Sequence, residues 1–417
     1  MNSRRSFFSK VASLGAGLWS GPPAAPQQMP GAIAPVEMPD LPRLTPRIVD
    51  GVKEFHLVAQ VVETEFVPGR KVHAWGYNGS VPGPLMEAVE GDKIRVVFHN
   101  NLPEMTALHW HGFEVPVEMD GSLGLAMDPI PPGEQFTYEF QVNQHGTFFY
   151  HSHFPMQEMM GQIGMFVLHP KTPQTPPVDR DFGVILQEWA LLPNNSVPNT
   201  LAMEFNWLTF NGKSGPDCTP MLVRLGERVR IRLINLGMDH HPIHLHGNTF
   251  FVTGTEAGRC PQNTWKPENT VLVGVAQARD IEFDAKYPGD WMLHCHLPHH
   301  MMNQMITMVG PVSHGEHVAH ATEGVGAWPK DDPDKKAIPG YPQDMWMNLD
   351  EWVRPKAENH GLRKGWAAAM MGMMTVVRVL PPDRFDEIQR LRGKPPVPPK
   401  PPELHHPEPP KKQGGQS

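Results

Sequence analysis

The sequence predicts an all-β chain built from two similar β-sandwiches, with an irregular extension at the C-terminal end. Short β-branched and aromatic runs with polar alternation, such as 93–98 and 136–140, lie between Gly, Pro and Asn turns. Long helical patterns are missing from the sequence. Proline contributes 47 of the 417 residues, about twice its usual share, and this favours a turn-rich fold.

An internal repeat justifies two domains rather than one. The first two repeated motifs recur 135 residues later and the third recurs 143 residues later. The predicted domains span 45–172 and 178–312. The repeated motifs are Gly91–Asn100 with Gly226–Asn235, His109–Gly112 with His244–Gly247, and Gly146–His153 with Gly289–His296.

The ends of the chain are expected to lie outside the two sandwiches. Residues 1–30 resemble a twin-arginine export signal and leader, with Arg4 and Arg5 ahead of a short apolar stretch, so the mature protein is expected to be periplasmic or secreted. Residues 313–380 are expected to form a Met-containing extension, and 381–417 a Pro-rich disordered tail. No apolar run reaches the ~18–20 residues that span a bilayer.

The composition excludes some partners and indicates a metal. A net charge of −8 provides no basic field for nucleic acid. The chain has 23 His and 25 Met against 3 Cys, and such soft or borderline ligands favour a late transition metal. Three cysteines are too few for a disulfide framework, although Cys218 and Cys260 could pair in an oxidising compartment.

Four His-x-His pairs carry the candidate chemistry. Side chains at i and i+2 leave the same face of a strand, so each pair presents two imidazoles in one direction. Eight imidazoles are too many for one tetrahedral ion, and imidazole alone suits Zn, Cu, Fe or Ni. The pairs are His109 with His111, His151 with His153, His244 with His246, and His294 with His296.

Cys295 narrows the choice of metal to copper. It lies between the two histidines of the last pair, so on a strand it points to the opposite face, toward a second site. His241, His300 and Met305 lie at spacings that could complete a His₂Cys site with a weak axial Met, which is the signature of blue copper. The run from His294 to His296 would then connect the two sites covalently.

These motifs closely resemble those of the multicopper oxidase (laccase-like) family over about residues 45–312. The resemblance implies tandem cupredoxin-like Greek-key sandwiches and a copper-dependent oxidoreductase with four coppers. Such an enzyme couples one-electron oxidation of a reducing substrate to four-electron reduction of O₂ to water. The implied ligands are His241, Cys295 and His300 with axial Met305 for type 1 copper, His109 and His244 for type 2, and His111, His151, His153, His246, His294 and His296 for the type 3 pair.

The first repeat has the cluster histidines but no type 1 ligands. At the equivalent positions it has Thr106, Ser152 and Gln157. Only 136 residues run from 177 to 312, which leaves no room for a middle domain. The chain therefore resembles the two-domain branch of the family. That resemblance implies a homotrimer, with the cluster between domain 1 of one subunit and domain 2 of the next.

Asp120, just past the first His pair, matches a family position for an acid that relays protons to the cluster. Oxygen reduction consumes protons, so a carboxylate beside the cluster would have a catalytic use. A turn-forming role for Asp120 before Gly121 explains the residue equally well. Other relatives carry an acid directly after the second type 1 histidine, where this chain has Met301.

The alternatives differ in class and in substrate. A copper nitrite reductase needs only three catalytic histidines and carries its type 1 Cys in the first domain, and a non-catalytic structural descendant would show eroded ligands. Phenols or aromatic amines are the favoured reducing substrates, ahead of Mn(II) or Fe(II). Cu(I) stays open because thioethers cluster at 156–165, 301–308 and 370–374, although Met also fills gaps in cores.

Overall fold

The computed structural model describes residues 34–192, 195–302 and 349–393. The predicted export signal, Met305 and the end of the Pro-rich tail lie outside these residues. Among the described residues, no helix is long and apolar enough to cross a bilayer. The predicted all-β class is confirmed, because strands form two successive sandwiches and the helices are few and short.

The first sandwich packs a four-stranded sheet, in the order β5-β10-β9-β7, against a five-stranded sheet, in the order β2-β3-β6-β8 with β4 beside β3. From β4 to β9 the chain passes repeatedly between the two sheets. The strands are β2 (Arg47–Val49), β3 (Val52–Glu65), β4 (Lys71–Tyr77), β5 (Met86–Val89), β6 (Lys93–Asn101), β7 (Leu108–His111), β8 (Gln135–Gln141), β9 (Gly146–Ser152) and β10 (Ile163–His169), preceded by β1 (Val36–Glu37).

Alternation along the strands builds the first core. On β6 the side chains of Ile94, Val96 and Phe98 are fully buried, while the residues between them are partly exposed. Trp110 on β7 is also fully buried, and its ring meets Tyr138 edge-on at 5.4 Å. Above this core, β7 and β9 pair antiparallel in one sheet and carry the histidines of the first repeat, with His153 just past the end of β9.

The second sandwich repeats the plan with different sheet sizes. Its larger sheet has the order β1-β11-β14-β20-β16-β17, with β12 beside β11 and β18 beside β16. Its smaller sheet has the order β13-β22-β21-β15-β19. The strands are β11 (Arg180–Trp189), β12 (Trp207–Phe210), β13 (Met221–Arg224), β14 (Arg228–Asn235), β15 (His241–Leu245), β16 (Phe250–Thr255), β17 (Gly258–Arg259), β18 (Lys266–Glu268), β19 (Thr270–Val273), β20 (Gln277–Asp284), β21 (Gly289–Cys295) and β22 (Met374–Leu380).

The C-terminal residues differ from the expectation of an irregular extension and a disordered tail. Strand β22 lies inside the second sandwich, parallel to β13 and antiparallel to β21, so this sandwich takes a strand from beyond residue 312. Helix α3 (Pro382–Arg392) follows at once and buries Phe385 and Ile388 against Leu222. A Pro-rich composition conceals this helix, because the prolines begin mainly after it ends. Two shorter helices, α1 (Pro155–Met159) and α2 (Pro298–Met302), follow the second His pair of each repeat.

A buried polar cluster joins the two sandwiches. Arg232 on β14 forms a two-pronged ion pair with Asp181 and donates to the hydroxyl of Thr147 on β9 at 2.7 Å. Thr147 in turn donates to Asp280 at 2.6 Å. All of these side chains are almost completely buried, so each charge depends on its partners for solvation.

Candidate metal centres

The register of the strands places the histidine pairs opposite one another in the same way in both sandwiches. On β7 and β9, His109 pairs with His151. On β15 and β21, His244 pairs with His294. Because paired residues on antiparallel strands point to the same face, each sandwich collects four imidazoles on one side of its smaller sheet.

The first set of four imidazoles lies close together. The ligand atoms of His109, His111 and His151 are all within 4.8 Å of one another, and Nδ1 of His111 is 3.4 Å from Nε2 of His151. The ring of His153 lies 5.3 Å from that of His109, and His153 is exposed. Four imidazoles therefore converge, and the set reaches the protein surface at His153.

The second set repeats this geometry. Ligand atoms of His244, His246 and His294 lie within 4.8 Å of one another, and Nε2 of His246 is 3.0 Å from Nε2 of His294. The ring of His296 lies 5.5 Å from that of His244. His246 and His296 are exposed, so this set also reaches the surface. Among the described residues, no ligand group combines histidines of both sandwiches.

Desolvation favours the metal-binding form of three of these imidazoles, those of His111, His246 and His294. Loss of solvent lowers the pKa of His111 to about 4, with a further contribution from the neighbouring His151 and His109. Desolvation likewise lowers the pKa values of His246 and His294. A neutral imidazole offers a lone pair and repels a cation less than its protonated form, so both sets fit a metal.

A third group of ligands lies on the opposite face of β21 and is completely buried. The Sγ atom of Cys295 is 3.7 Å from Nδ1 of His241 and 3.6 Å from Nδ1 of His300, and the two nitrogens are 3.2 Å apart. Burial raises the pKa of the metal-free Cys295 thiol to about 12 and lowers that of His300 to about 4. Two imidazole nitrogens and one sulfur that converge out of water form a donor set that fits copper.

Glu188 holds one of these ligands and was not found from the sequence. Its buried carboxylate accepts a hydrogen bond from Nε2 of His241 at 3.0 Å and others from the backbone N–H groups of Met238 and Asp239. Burial opposes its ionisation, but the contacts with His241 and these N–H groups outweigh that effect and lower the pKa of Glu188. Nδ1 of His241 is thereby directed at Cys295.

Two carboxylates lie beside the first histidine set. Asp120, the sequence candidate, has its Oδ1 3.5 Å from Nδ1 of His109, whose closer partner is the Asp120 backbone oxygen at 2.7 Å. Glu158 on α1 was not anticipated, and it lies 3.1 Å from Nδ1 of His151. The only sequence signal for Glu158 is its position seven residues after His151, which has meaning only once α1 folds back over β9.

The first sandwich has a hydrogen-bonded trio where the second has Cys295 and its two histidines. The carboxamide oxygen of Gln157 accepts from the hydroxyl groups of Thr106 and Ser152, each at 2.7 Å. All three side chains are buried. The three residues that the repeat aligned with a type 1 site do converge, but they satisfy one another without a metal ligand.

The remaining sequence candidates fall into two groups. Met305 lies outside the described residues, so the structure says nothing of its position. Cys218 and Cys260 are not bonded to each other. Cys218 is buried and its thiol donates to the carbonyl of Lys213 at 3.2 Å, and burial raises its pKa well above the ordinary value.

Comparisons with known proteins agree with this geometry. Two family models described as multicopper oxidase match residues 59–173 and 192–312. The chain is 36% identical over 193 residues to a copper resistance protein A homolog of Pseudomonas syringae pv. tomato, covering 45% of this chain and 30% of that protein. It is 32% identical over 244 residues to laccase-2 of Botryotinia fuckeliana, covering 52% of this chain and 40% of that one.

Solved structures lead to the same class. The blue copper oxidase of Nitrosomonas europaea is similar with a TM-score of 0.56 and 30% identity, covering 60% of this chain and 80% of that one. The chain belongs to the multicopper oxidase family. It spans well under half the length of the two curated relatives described above.

Proposed function

We propose that this chain is a copper-dependent oxidoreductase that couples the oxidation of a small reducing substrate to the reduction of O₂ to water. The buried group of His241, Cys295 and His300 carries the proposal, because its donors match a type 1 copper site. Copper at this site and at the histidine sets would supply one-electron transfer, so that four substrate electrons and four protons convert one O₂ into two waters.

The chain itself provides the connection between the two kinds of site. Cys295 points into the core, while its neighbours His294 and His296 belong to the histidine set on the other face. An electron that arrives at the sulfur of Cys295 has a path of few covalent bonds to either imidazole. Glu188 keeps His241 in place at the start of this path.

The eight histidines are proposed to form one trinuclear cluster between subunits. Each sandwich presents four imidazoles with exposed outer members, namely His153 in the first set and His246 and His296 in the second. Eight ligands require both sets, and the sets belong to separate ligand groups within one chain. A homotrimer in which domain 1 of one subunit faces domain 2 of the next would bring them together.

Asp120 is proposed to pass protons to this cluster. Its carboxylate lies against His109 and accepts a hydrogen bond from the hydroxyl of Ser122. A carboxylate at this place can take protons from water and deliver them toward the reduced oxygen. Glu158, which touches His151, has the same capacity on the other side of the set.

Phenols or aromatic amines are the first choice of substrate, in keeping with the laccase among the relatives. Cu(I) is the second choice, and a separate observation favours it. Met370 and Met374 are buried together, with Met292 and Met301 packed against them. Thioethers favour Cu(I), Met301 of this cluster directly follows His300 in the chain, and copper resistance proteins are among the relatives.

One preparation can test the function and choose between the substrates. Purified, copper-loaded protein is examined for a strong blue absorption band, and oxygen uptake is then measured with a phenol and with Cu(I) as electron donors. The proposal expects the band and uptake with at least one donor. A copper-loaded protein without the band contradicts the type 1 site, and uptake only with Cu(I) selects the second substrate.

Export to the periplasm or beyond is proposed from the twin-arginine motif, and cell fractionation would test it.

A further inference from the structure

The strand that closes the second sandwich meets the type 1 ligands directly. In the pairing of β21 with β22, His294 lies opposite Met374, so the next pair along the ladder is Cys295 with Met373. The backbone N–H of Cys295 donates to the carbonyl of Met373 at 3.0 Å, and the N–H of Met373 donates to the carbonyl of His300 at 2.9 Å. The backbone of Met373 is thus hydrogen-bonded to the backbones of two of the three ligand residues of this site.

The side chain of Met373 is on the same side as the copper ligands. Residues opposite each other on antiparallel strands have their side chains on the same face of the sheet. The side chain of Met373 is therefore on the face of Cys295, and that of Met374 is on the face of His294. The burial agrees with this, because Met373 is completely buried in the core cluster that contains Cys295, whereas Met374 lies in a different cluster with Met370.

Gly372 makes the close approach possible. Its φ is +69°, and a Cβ at this position would be 2.1 Å from the carbonyl oxygen of His300. Only glycine lets the backbone pass so near to His300 while turning into β22. The turn delivers Met373 to the site in one defined conformation.

We propose that Met373 supplies the axial thioether of the type 1 site, in the place that the sequence spacing assigned to Met305. The inference rests on the proposed type 1 copper. A His₂Cys site takes a weak axial Met, and Met373 is the described methionine whose backbone is bonded to both Cys295 and His300. The axial ligand then comes from a residue just before β22, which is separated in sequence from the other three ligands by the long segment between α2 and β22.

The test compares three Met→Leu substitutions. Their effect on the reduction potential of the type 1 copper is followed through its blue absorption band. Met373→Leu removes the proposed thioether, Met305→Leu removes the competing one, and Met221→Leu, which is buried in the same core on β13, is the matched control. The proposal expects Met373→Leu to keep the band and raise the potential, because loss of a sulfur donor destabilises the oxidised copper. The other two variants are expected to keep the wild-type potential.

A second variant protects the test against simple misfolding. Met373→Gln supplies an oxygen donor and is expected to lower the potential and change the hyperfine coupling of the copper in its electron paramagnetic resonance spectrum. An unchanged potential in Met373→Leu overturns the inference, whatever Met305→Leu does. Failure of the wild-type protein to show a blue band is a different result, since it overturns the proposed function itself.

Discussion

Single residues decide which metal chemistry the chain supports. Histidines alone leave the metal open, whereas one cysteine among them indicates copper. Around that cysteine, residues without any motif hold the ligands in place, as Glu188 does for His241. The first sandwich shows the opposite case, because Ser152 in place of cysteine leads to a hydrogen-bonded trio and not to a metal site.

Replacement of Cys295 by serine should separate the two kinds of copper site. A hydroxyl is a poor ligand for type 1 copper, so Cys295→Ser is expected to abolish the blue band and reduce substrate oxidation to background. The histidine sets keep all their imidazoles, and metal analysis should show loss of the type 1 copper alone. Loss of all copper would contradict the division into separate sites.

Replacement of Glu188 should alter the type 1 site without removing it. Glu188→Gln removes a buried negative charge beside His241, and the reduction potential is expected to rise because the oxidised copper loses more stabilisation than the reduced form. Glu188→Ala also removes the hydrogen bond and should weaken copper retention about 10- to 100-fold. The measurements are a redox titration of the blue band and a competition with a chelator.

Asp239→Asn provides the comparison for Glu188. Asp239 lies 3.4 Å from Nε2 of His300, and its side chain is 42% exposed, so water screens its charge. A smaller shift in potential is therefore expected than for Glu188→Gln. An equal or larger shift would mean that burial does not amplify the charge of Glu188.

At the scale of elements, the approach of β22 to α2 closes the proposed type 1 site. Gly372 is the point of contact, with its positive φ and its closeness to the His300 carbonyl. Gly372→Ala is expected to destabilise the fold by about 1–3 kcal/mol from backbone strain, with a further cost from the clash. Urea unfolding of the copper-free protein measures this loss, and metal analysis follows the type 1 copper.

Gly365→Ala is the matched control for this junction. Gly365 also has a positive φ, +84°, but a Cβ there meets nothing within 4 Å. It should show the backbone strain alone and retain copper. Equal stabilities of the two variants would show that the contact with His300 is unimportant.

The charged cluster on β14, β17 and β20 should make the second sandwich sensitive to acid. Glu282 is completely buried among Arg230, Arg259 and Arg228. Burial raises its pKa, but hydrogen bonds and the charges of Arg259 and Arg230 lower it more, from 4.5 to about 2. The carboxylate therefore stabilises the fold fully above about pH 4.5, and this contribution is lost as the pH falls toward 2.

Unfolding free energies between pH 5 and pH 2 test this effect. The contribution of Glu282 should fall by about 1.4 kcal/mol per pH unit at most, as expected for one proton. Glu282→Gln is expected to be less stable at pH 5 and to lose this slope. Asp284→Asn changes a half-exposed ion-pair partner of Arg228, and this variant should retain the pH dependence of the wild-type stability. A wild-type slope in Glu282→Gln would refute the assignment.

At the scale of the whole molecule, the two histidine sets differ from the proposed type 1 site in exposure. His241, Cys295 and His300 are buried in the core, while each histidine set has exposed members at the surface. In the proposed homotrimer, the set of a neighbouring subunit would cover this exposed side and supply the missing ligands.

Mixed oligomers test this arrangement. Chains with His109→Ala and chains with His244→Ala should each be inactive, but co-expression should restore about a quarter of wild-type activity, since one in four random interfaces joins two intact sets. Co-expression of His109→Ala with His151→Ala is the control, because both defects lie in domain 1, and it should stay inactive. Absence of rescue in the first mixture would contradict a cluster shared between subunits.

Much of this protein was determined by its sequence alone. The repeat predicted two sandwiches, and the two-residue period of a strand predicted that each His pair shares a face and that Cys295 faces away from its neighbours. The structure brings His241, Cys295 and His300 together as that spacing required. These features depend on local geometry, which short sequence patterns encode directly.

Only the tertiary structure decided which distant residues complete the sites. Glu188 reaches His241 because β11 and the turn before β15 meet across the second sandwich, and Met373 reaches Cys295 because β22 enters the sheet after a long insertion. The same docking turned part of the expected extension into a strand and the start of the expected tail into helix α3. Contacts between residues far apart in the chain depend on which faces pack together, and no local period of the sequence carries that information.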